Sequence, residues 1–296
     1  MEVNTIYPGD CLEEHEHINN GSVDLILTDP PYGIIDNYEN CEWDKALNPK
    51  SIFEIANRIL RKNGRLILFS KEPYTTELMK AEIPNIKFNQ KAVWVKDVHG
   101  NGAQFKCNKA LLGYYEEILI FQKEHDIDNI HPLRKYFAKV KDYIGKSKVE
   151  IMAVVGQKAD HTFRTTSTQF SLCTKETYQE LIDKFNIDNM QGFKTYTELR
   201  EIDKKFDSTF NLPNNQKYKK DVFKYIRVYD KLHPTEKPQP LLEDLIKTYT
   251  NKGNLVVDLT AGSGSTGVAC QNTNRDYILI EKEQKYIDVI KERLES

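Results

Sequence analysis

The chain has 296 residues, enough for one large domain or for a catalytic core with a smaller module. Its formal charge of −2 excludes an overall basic surface, so any surface that binds nucleic acid has to be local. The cysteines form no CxxC pair, and no apolar N-terminal stretch resembles a signal peptide or a membrane span, so we expect a cytoplasmic protein with reduced thiols and no bound metal.

Strands and helices alternate in the first third of the chain. The pattern predicts strands at 3–7, 23–28 and 65–69, a helix from about Leu12, and a helix over 52–60 that Asn63-Gly64 ends. Such alternation predicts an α/β fold with a mainly parallel, Rossmann-like sheet covered by helices. Two further strands, at 91–96 and 117–121, flank a Gly-rich loop and predict an antiparallel hairpin at the edge of the sheet.

From about residue 124 the pattern changes to helices alone. An apolar stripe over 133–144 predicts one helix, capping boxes at Ser147 and Thr195 begin two more, and Thr174 caps another. Helices joined by a Gly-containing turn are typical of a helix-turn-helix-like unit. Such a unit either reads DNA or is merely structural.

Basic residues are concentrated in the middle of the chain. Residues 131–164 carry 8 Lys/Arg against 3 Asp/Glu, which is either a binding patch or a solvated helical face. Lysines alternate with aromatic residues over 217–225, which suits phosphate contact and base stacking, or a surface strand with a buried aromatic face. We predict phosphate contacts from Lys106, Lys109, Lys146, Lys148, Lys158, Arg164, Lys217 and Lys220.

Two motifs carry chemistry, and the first is Asp29-Pro30-Pro31-Tyr32, directly after the strand at 23–28. The Asp29 carboxylate and the Pro30 carbonyl can each accept one N–H of an aromatic amine. The prolines remove local donors and fix φ, which holds that carbonyl in place. Tyr32 can stack on an extruded base, a contact worth roughly 1–3 kcal/mol. The motif therefore predicts a site for a flat, amino-bearing ring; an ordinary strand-to-loop turn is the alternative.

The second motif begins at Asp258 and ends at Gly264, between a predicted strand and a helix. Gly262 and Gly264 permit close approach of a ligand to the backbone, and the helix N-terminus presents free N–H groups. The next strand ends in Glu281, where an acid can accept both hydroxyls of a ribose. Together these features predict an adenosyl cofactor, whereas the missing GK[ST] ending disfavours ATP.

These motifs resemble those of the amino DNA methyltransferases, which carry a (D/N/S)PP(Y/F) catalytic motif and an FxGxG motif for S-adenosylmethionine. His-Pro-Thr-Glu-Lys-Pro at 233–238 resembles the family's HxTxKP stretch, and Gly9-Asp10-Cys11 resembles the segment beside the cofactor's adenine. The catalytic motif comes first and the cofactor motif last, an order that resembles the β group. Thr260 stands where the family has an aromatic residue, so we expect weaker cofactor binding or a compensating aromatic side chain.

The resemblance implies a methyltransferase domain of 1–123 and 227–296 and a target-recognition insert of 124–226. The implied catalytic residues are Asp29, Pro30, Pro31 and Tyr32. The implied cofactor contacts are Asp10, Cys11, Asp29, His233, Thr235, Lys237, Asp258, Thr260, Ala261, Gly262, Ser263, Gly264 and Glu281.

An Asp at the start of the catalytic motif resembles the adenine-N6 enzymes of the family, while cytosine-N4 enzymes more often begin with Ser. The sequence therefore predicts site-specific methylation of a flipped adenine in double-stranded DNA. Cytosine-N4 methylation, methylation of RNA or protein, and a DNA-binding regulator on a decayed core are the alternatives. A homodimer and a cognate restriction endonuclease are further expectations from the family, and the recognised DNA sequence does not follow from one chain.

Overall fold

A computed structural model describes residues 1–33, 46–97, 108–109, 111–126, 131–167, 169–213, 216–229 and 231–295. The chain divides into two compact units, one of Met1–Glu124 and Thr209–Ser296 and the other of His125–Ser208. The second unit begins next to the predicted boundary at 124 but ends earlier than the predicted 226. Residues 209–226 group with the first unit because a strand within them joins its sheet.

The helices and strands of the first unit come from two segments of the chain, one before and one after the second unit. The first unit begins with β1 (Thr5–Pro8), α1 (Cys11–Glu14), β2 (Val23–Thr28), α2 (Pro49–Ile59), β3 (Leu60–Ser70), α3 (Tyr74–Lys80), β4 (Ile86–Val95) and β5 (Tyr115–Lys123). The second unit contains α4 (Pro132–Ile144), α5 (Lys148–Val155), α6 (Lys175–Phe185) and α7 (Tyr196–Lys204). The first unit resumes with β6 (Val222–Lys224), α8 (Gln239–Tyr249), β7 (Leu255–Asp258), α9 (Ser265–Thr273), β8 (Asp276–Glu281) and α10 (Gln284–Glu295).

Within the described residues the strands form one sheet in the order β1, β8, β7, β2, β3, β5, β4, β6. Neighbouring strands are parallel, except that β5 runs antiparallel to both β3 and β4. The predicted mainly parallel sheet and its antiparallel hairpin are therefore confirmed. The hairpin does not form the edge, because β6 pairs with the outer side of β4 through Val93 and Val222.

Helices cover both faces of the central strands. On one face, Ile26 and Leu68 pack in a cluster with Phe53 of α2. On the other face, Leu27 packs in a cluster with Leu245 of α8. Because both faces are buried, all six residues of β2 are buried, which explains its nearly continuous apolar sequence.

The predicted end of α2 at Asn63-Gly64 is wrong. The helix ends at Ile59 and the chain passes directly into β3, where Asn63 adopts a left-handed conformation with a φ of 64°. The Nζ atom of buried Lys123 donates hydrogen bonds to the carbonyls of Asn57 and Leu60, both at 2.6 Å. A distant lysine thus satisfies the carbonyls that a C-terminal glycine would otherwise help to satisfy.

The helical unit has its own apolar core. The capping boxes at Ser147 and Thr195 are both present, and Thr174 caps α6 as expected. The hydroxyls of Tyr136 and Tyr178 are 2.5 Å apart inside this core. None of the helices in the described ranges is both long and apolar enough to cross a membrane.

Candidate active site

The two chemical motifs lie side by side although more than 200 residues separate them. β7 pairs with β2 on one side and with β8 on the other, all parallel. The carboxyl ends of parallel strands meet at one edge of a sheet, where open α/β folds bind their ligands. Asp29 therefore lies beside the glycine turn that follows β7.

A single pocket in the first unit collects these residues. All four residues of the catalytic motif line it, as do twelve of the thirteen predicted cofactor contacts. Gly264 does not line it. With a φ of +77° it begins α9, and a Cβ there would lie 3.0 Å from the side chain of Ile290, so close packing explains the missing side chain. Sequence reasoning missed Leu47, Glu236 and Tyr286, which also line the pocket.

The carboxylate of Asp29 is held at both oxygens. The Tyr32 hydroxyl donates to Oδ1 at 2.5 Å, and Lys237 Nζ donates to Oδ2. Burial raises the pKa of Asp29, and the neighbouring ammonium of Lys237 offsets this only in part. The catalytic motif and the HxTxKP-like segment are therefore joined by a buried ion pair.

A second, largely buried carboxylate lies beside Lys237. Glu116, on β5, has its Oε2 atom 3.4 Å from Lys237 Nζ, and its Oε1 atom pairs with Lys96. Burial opposes ionisation of Glu116, but Lys237 and Lys96 outweigh it and lower its pKa. Burial likewise opposes the charge on Lys237, yet Asp29 and Glu116 raise its pKa. We name Lys96, Glu116, Lys237 and Asp29 the charge row.

Thr260, where the family has an aromatic residue, connects the two motifs. Its hydroxyl donates to the backbone carbonyl of Asp29 at 3.0 Å and lies 2.8 Å from the hydroxyl of Thr28. Its amide donates to Asp258 Oδ1 at 3.1 Å. The position therefore fixes the start of the catalytic motif through hydrogen bonds.

Two acids, Asp258 and Glu281, lie at the ends of β7 and β8, and among the described residues their hydrogen bonds come from hydroxyls and backbone amides. Asp258 accepts from the Thr266 hydroxyl at 2.6 Å, and burial raises its pKa to about 6. Glu281 accepts from the amides of Gly262 and Glu283 at 2.8 and 2.9 Å, and burial raises its pKa as well. An acidic wall of this kind favours a cationic ligand.

His233 packs against the glycine turn. Gly262 has a φ of +53°, and a Cβ there would lie 3.4 Å from the His233 ring. The Tyr286 ring of α10 meets the other side of His233, with centroids 4.3 Å apart. Burial, with a smaller contribution from Lys237, lowers the pKa of His233 to about 4, so the imidazole is neutral at pH 7.

A half-buried ion pair connects α10 with the residues beside the cofactor motif. Arg293 Nη1 donates to Glu236 Oε1 at 2.9 Å and to the Ser263 carbonyl at 2.8 Å. Ser265 donates to the same Glu236 oxygen at 3.0 Å. Arg293 thereby joins the last turn of α10 to the glycine turn and to the HxTxKP-like segment.

The pocket fits S-adenosylmethionine by the chemistry of its donors and acceptors. Glu281 offers a carboxylate for ribose hydroxyls, and the turn at Gly262 leaves no side chain between backbone and ligand. Asp258 lines the same pocket, and an acid there suits a ligand that carries a positive charge. Tyr286 supplies an aromatic surface that Thr260 cannot.

The structure separates the predicted phosphate contacts into two groups, and none of those it describes lines the pocket. Lys148 and Arg164 both pair with Asp160, at 2.7 and 2.6 Å, and Lys158 pairs with Glu180 at 2.5 Å. The second group is Lys109, Lys146, Lys217 and Lys220, which are exposed, as Lys158 of the first group also is. Lys106 lies outside the described residues.

Known proteins share this sequence and this fold. Residues 23–292 match the family described as DNA methylase. The chain is 25% identical to the type II methyltransferase M2.MboI of Moraxella bovis over 97% of its own length and 86% of that protein. It is 26% identical to the DNA adenine methyltransferase YhdJ of Escherichia coli K12, over 99% and 83% respectively.

Solved structures agree with the fold. The M1.HpyAVI–SAM complex matches with a TM-score of 0.54 and 20% identity over 98% of both chains. The cytosine-N4-specific PvuII DNA methyltransferase matches with a TM-score of 0.53 and 15% identity over 98% of this chain and 92% of that one. With the catalytic motif, the cofactor motif and the family match in agreement, the chain belongs to the DNA methylase family of N6 and N4 amino methyltransferases.

Proposed function

We propose that the protein is a site-specific DNA methyltransferase that methylates the N6 amine of adenine with S-adenosylmethionine. The observation that carries the proposal is the placement of half-buried Asp29, at the start of the catalytic motif, in one pocket with the glycine turn and Glu281. The adenine-specific name of the Escherichia coli relative favours adenine over cytosine.

S-adenosylmethionine supplies an electrophilic methyl group on a sulfonium when it is bound. Glu281 would hold the ribose, and the turn at Gly262 would approach the ligand with its backbone. His233 and Thr235 lie on the HxTxKP-like segment and would border the methionine end. Asp10, at the N-terminus of α1, would border the adenine.

The catalytic motif would hold the target amine. Asp29 and the Pro30 carbonyl accept its two N–H groups, which favours a pyramidal nitrogen whose lone pair points at the methyl group. The Tyr32 hydroxyl is bonded to Asp29, so its ring is fixed for stacking on the flipped base. As positive charge develops on the amine, the Asp29 carboxylate stabilises it.

Double-stranded DNA is the proposed partner, and the helical unit His125–Ser208 is the proposed target-recognition module. Its separate core allows it to vary without disturbing the pocket. A homodimer and a cognate restriction endonuclease are further proposals, the second supported by the type II name of the Moraxella bovis relative.

The function can be tested with labelled S-adenosylmethionine and unmodified bacterial DNA. After incubation, the DNA is digested to nucleosides and the labelled species is identified by mass spectrometry. We expect the labelled species to be N6-methyldeoxyadenosine. Labelled N4-methyldeoxycytidine would show that the target base is cytosine and not adenine. DNA that carries no label would overturn the proposed activity.

The Asp29→Ala variant should lose turnover and keep its affinity for S-adenosylmethionine. The substitution removes the acceptor of the target amine, while Glu116 remains as a partner for Lys237. Isothermal calorimetry measures the affinity, and thermal melting shows whether the variant is folded. An active Asp29→Ala protein would contradict the catalytic assignment.

A further inference from the structure

The charge row raises a question about how the target amine reaches Asp29. Both carboxylate oxygens of Asp29 already accept hydrogen bonds, from Tyr32 and from Lys237. Each oxygen can accept a second hydrogen bond, but an incoming N–H would share its acceptor with a donor already bound, and the charged donor Lys237 forms the stronger hydrogen bond. The amine therefore binds more strongly if Lys237 can turn to another acceptor close by.

Glu116 provides that acceptor. Within the described part of the chain, its Oε2 atom is buried without a hydrogen-bond partner, 3.4 Å from Lys237 Nζ. A movement of the ammonium by about 0.6 Å would shorten this distance to an ordinary charged hydrogen bond of about 2.8 Å. Such a shift lies within the freedom of the terminal torsions of a lysine side chain.

The surroundings of Lys237 limit its alternatives. The ammonium lies 5.0 Å from the centre of the Phe69 ring and donates a hydrogen bond of 3.2 Å to the carbonyl of Thr235, which is the nearest neutral acceptor described. The side chain is buried, so water does not replace a lost partner at low cost. Lys96 holds the other oxygen of Glu116, which keeps the carboxylate in place.

The charge balance of the charge row favours a movement of the Lys237 ammonium from Asp29 to Glu116 over its departure from the row. The charge row contains two carboxylates and two ammonium groups, so its net charge is zero wherever Lys237 lies. Movement between two carboxylates therefore brings no uncompensated charge into the interior, which would be costly.

We propose that Glu116 is a positioning residue that receives Lys237 when the target amine takes its place on Asp29. This inference rests on the proposed function and deepens it, because it explains how a carboxylate that is already paired can select a base with an amino group. Only hydrogen bonds exchange in this step, and no covalent bond forms or breaks.

The Glu116→Gln variant tests the proposal. The amide keeps the size of the side chain but loses the charge that attracts Lys237, so the ammonium stays on Asp29. We expect kcat for DNA methylation to fall by about 10- to 100-fold, the same size of loss as when a residue that orients a metal ligand is replaced. The Kd for S-adenosylmethionine should change less than about threefold, since Glu116 does not line the pocket.

Two further variants separate positioning from general structure. Glu116→Asp keeps the charge on a shorter side chain and should recover part of the lost kcat. Glu117→Gln is the matched control, because successive strand residues point to opposite faces and Glu117 pairs with Lys91 at 2.9 Å and with Thr75 at 2.5 Å. It should retain wild-type kcat.

The outcomes are distinct when wild type and variants are measured in one assay. Equal kcat in wild type and Glu116→Gln would overturn the inference and leave the proposed function intact. The inference would also fail if Glu116→Asp were no better than Glu116→Gln, or if Glu117→Gln lost as much kcat as Glu116→Gln. A wild-type enzyme without turnover would overturn the proposed function, and the inference with it.

Discussion

At the scale of single residues, Thr260 shows how this chain differs from its family. The missing aromatic side chain predicts weaker cofactor binding or a compensating aromatic ring, and Tyr286 brings such a ring into the pocket from α10. The structure adds a role that the motif alone does not indicate. The Thr260 hydroxyl donates to the carbonyl of Asp29, which the phenylalanine of the FxGxG motif could not do.

The Thr260→Val variant should lose activity and stability together. Valine has nearly the same shape but leaves the Asp29 carbonyl and the buried Thr28 hydroxyl without this partner, at a cost of about 1–3 kcal/mol. We expect kcat to fall about tenfold, equivalent to 1.4 kcal/mol of the barrier. Steady-state kinetics and urea unfolding measure the two effects.

Thr260→Ser is the control for this prediction because it keeps the hydroxyl. It should remain closer to wild type than Thr260→Val in both measurements. If serine and valine behaved alike, the hydrogen bond to Asp29 would not be the reason for the effect.

At the scale of secondary-structure elements, α10 supports the cofactor motif from behind. Arg293 bonds the Ser263 carbonyl and Glu236, so the helix braces both the glycine turn and the HxTxKP-like segment. The sequence contains no motif that indicates this contact. The contact of Arg293 forms because the chain folds back after β8, so that α10 packs beside the glycine turn. Only the folded structure shows this packing.

The Arg293→Met variant should weaken binding of S-adenosylmethionine by about tenfold, or roughly 1.4 kcal/mol. Methionine keeps much of the apolar stem but removes the donors to the glycine turn. Lys291→Met, an exposed substitution on the same helix, should leave the affinity unchanged. Calorimetry compares the two, and equal affinities would show that the brace is dispensable.

The elements also show what sequence patterns can and cannot reveal. β2 and β7 could be predicted because burial on both faces leaves continuous apolar runs, and glycines mark the turn at Gly262. The end of α2 and the contact between Glu116 and Lys237 could not be predicted from the sequence. Both depend on side chains from β5, and the position of β5 in the sheet has no local signal.

At the scale of the whole molecule, His233 and Asp258 have opposite effects on the pH dependence of stability. The folded state lowers the pKa of His233 from 6.5 to about 4, so its contribution is lost as pH falls through this window. The folded state raises the pKa of Asp258 from 3.8 to about 6, so its contribution is lost as pH rises through nearly the same window. The two effects largely cancel.

The His233→Gln variant should remove this cancellation. The free energy of unfolding of the variant minus that of the wild type should fall by about 3 kcal/mol as pH rises from 4 to 6.5. Each unit by which folding lowers the pKa of His233 corresponds to 1.36 kcal/mol. Denaturant unfolding of both proteins at several pH values measures the difference. A difference that stays constant with pH would mean that His233 is not held neutral.

DNA binding should depend on the exposed lysines more than on the paired cations. Lys217→Ala and Lys220→Ala should each weaken binding to all sequences and lower the slope of log K against log salt by about 0.9. Lys158→Ala should have a smaller effect because Lys158 already pairs with Glu180. Titrations at several salt concentrations test this, and a larger effect at Lys158 would contradict it.

The division of the chain has a consequence for evolution. The described residues that line the pocket all belong to the first unit, whose two segments are joined in one sheet. Substitutions that accumulate in the helical unit therefore leave the chemistry of the pocket untouched. Under the proposed function, new sequence specificities can arise by divergence or exchange of one segment while the methyl-transfer machinery is inherited unchanged.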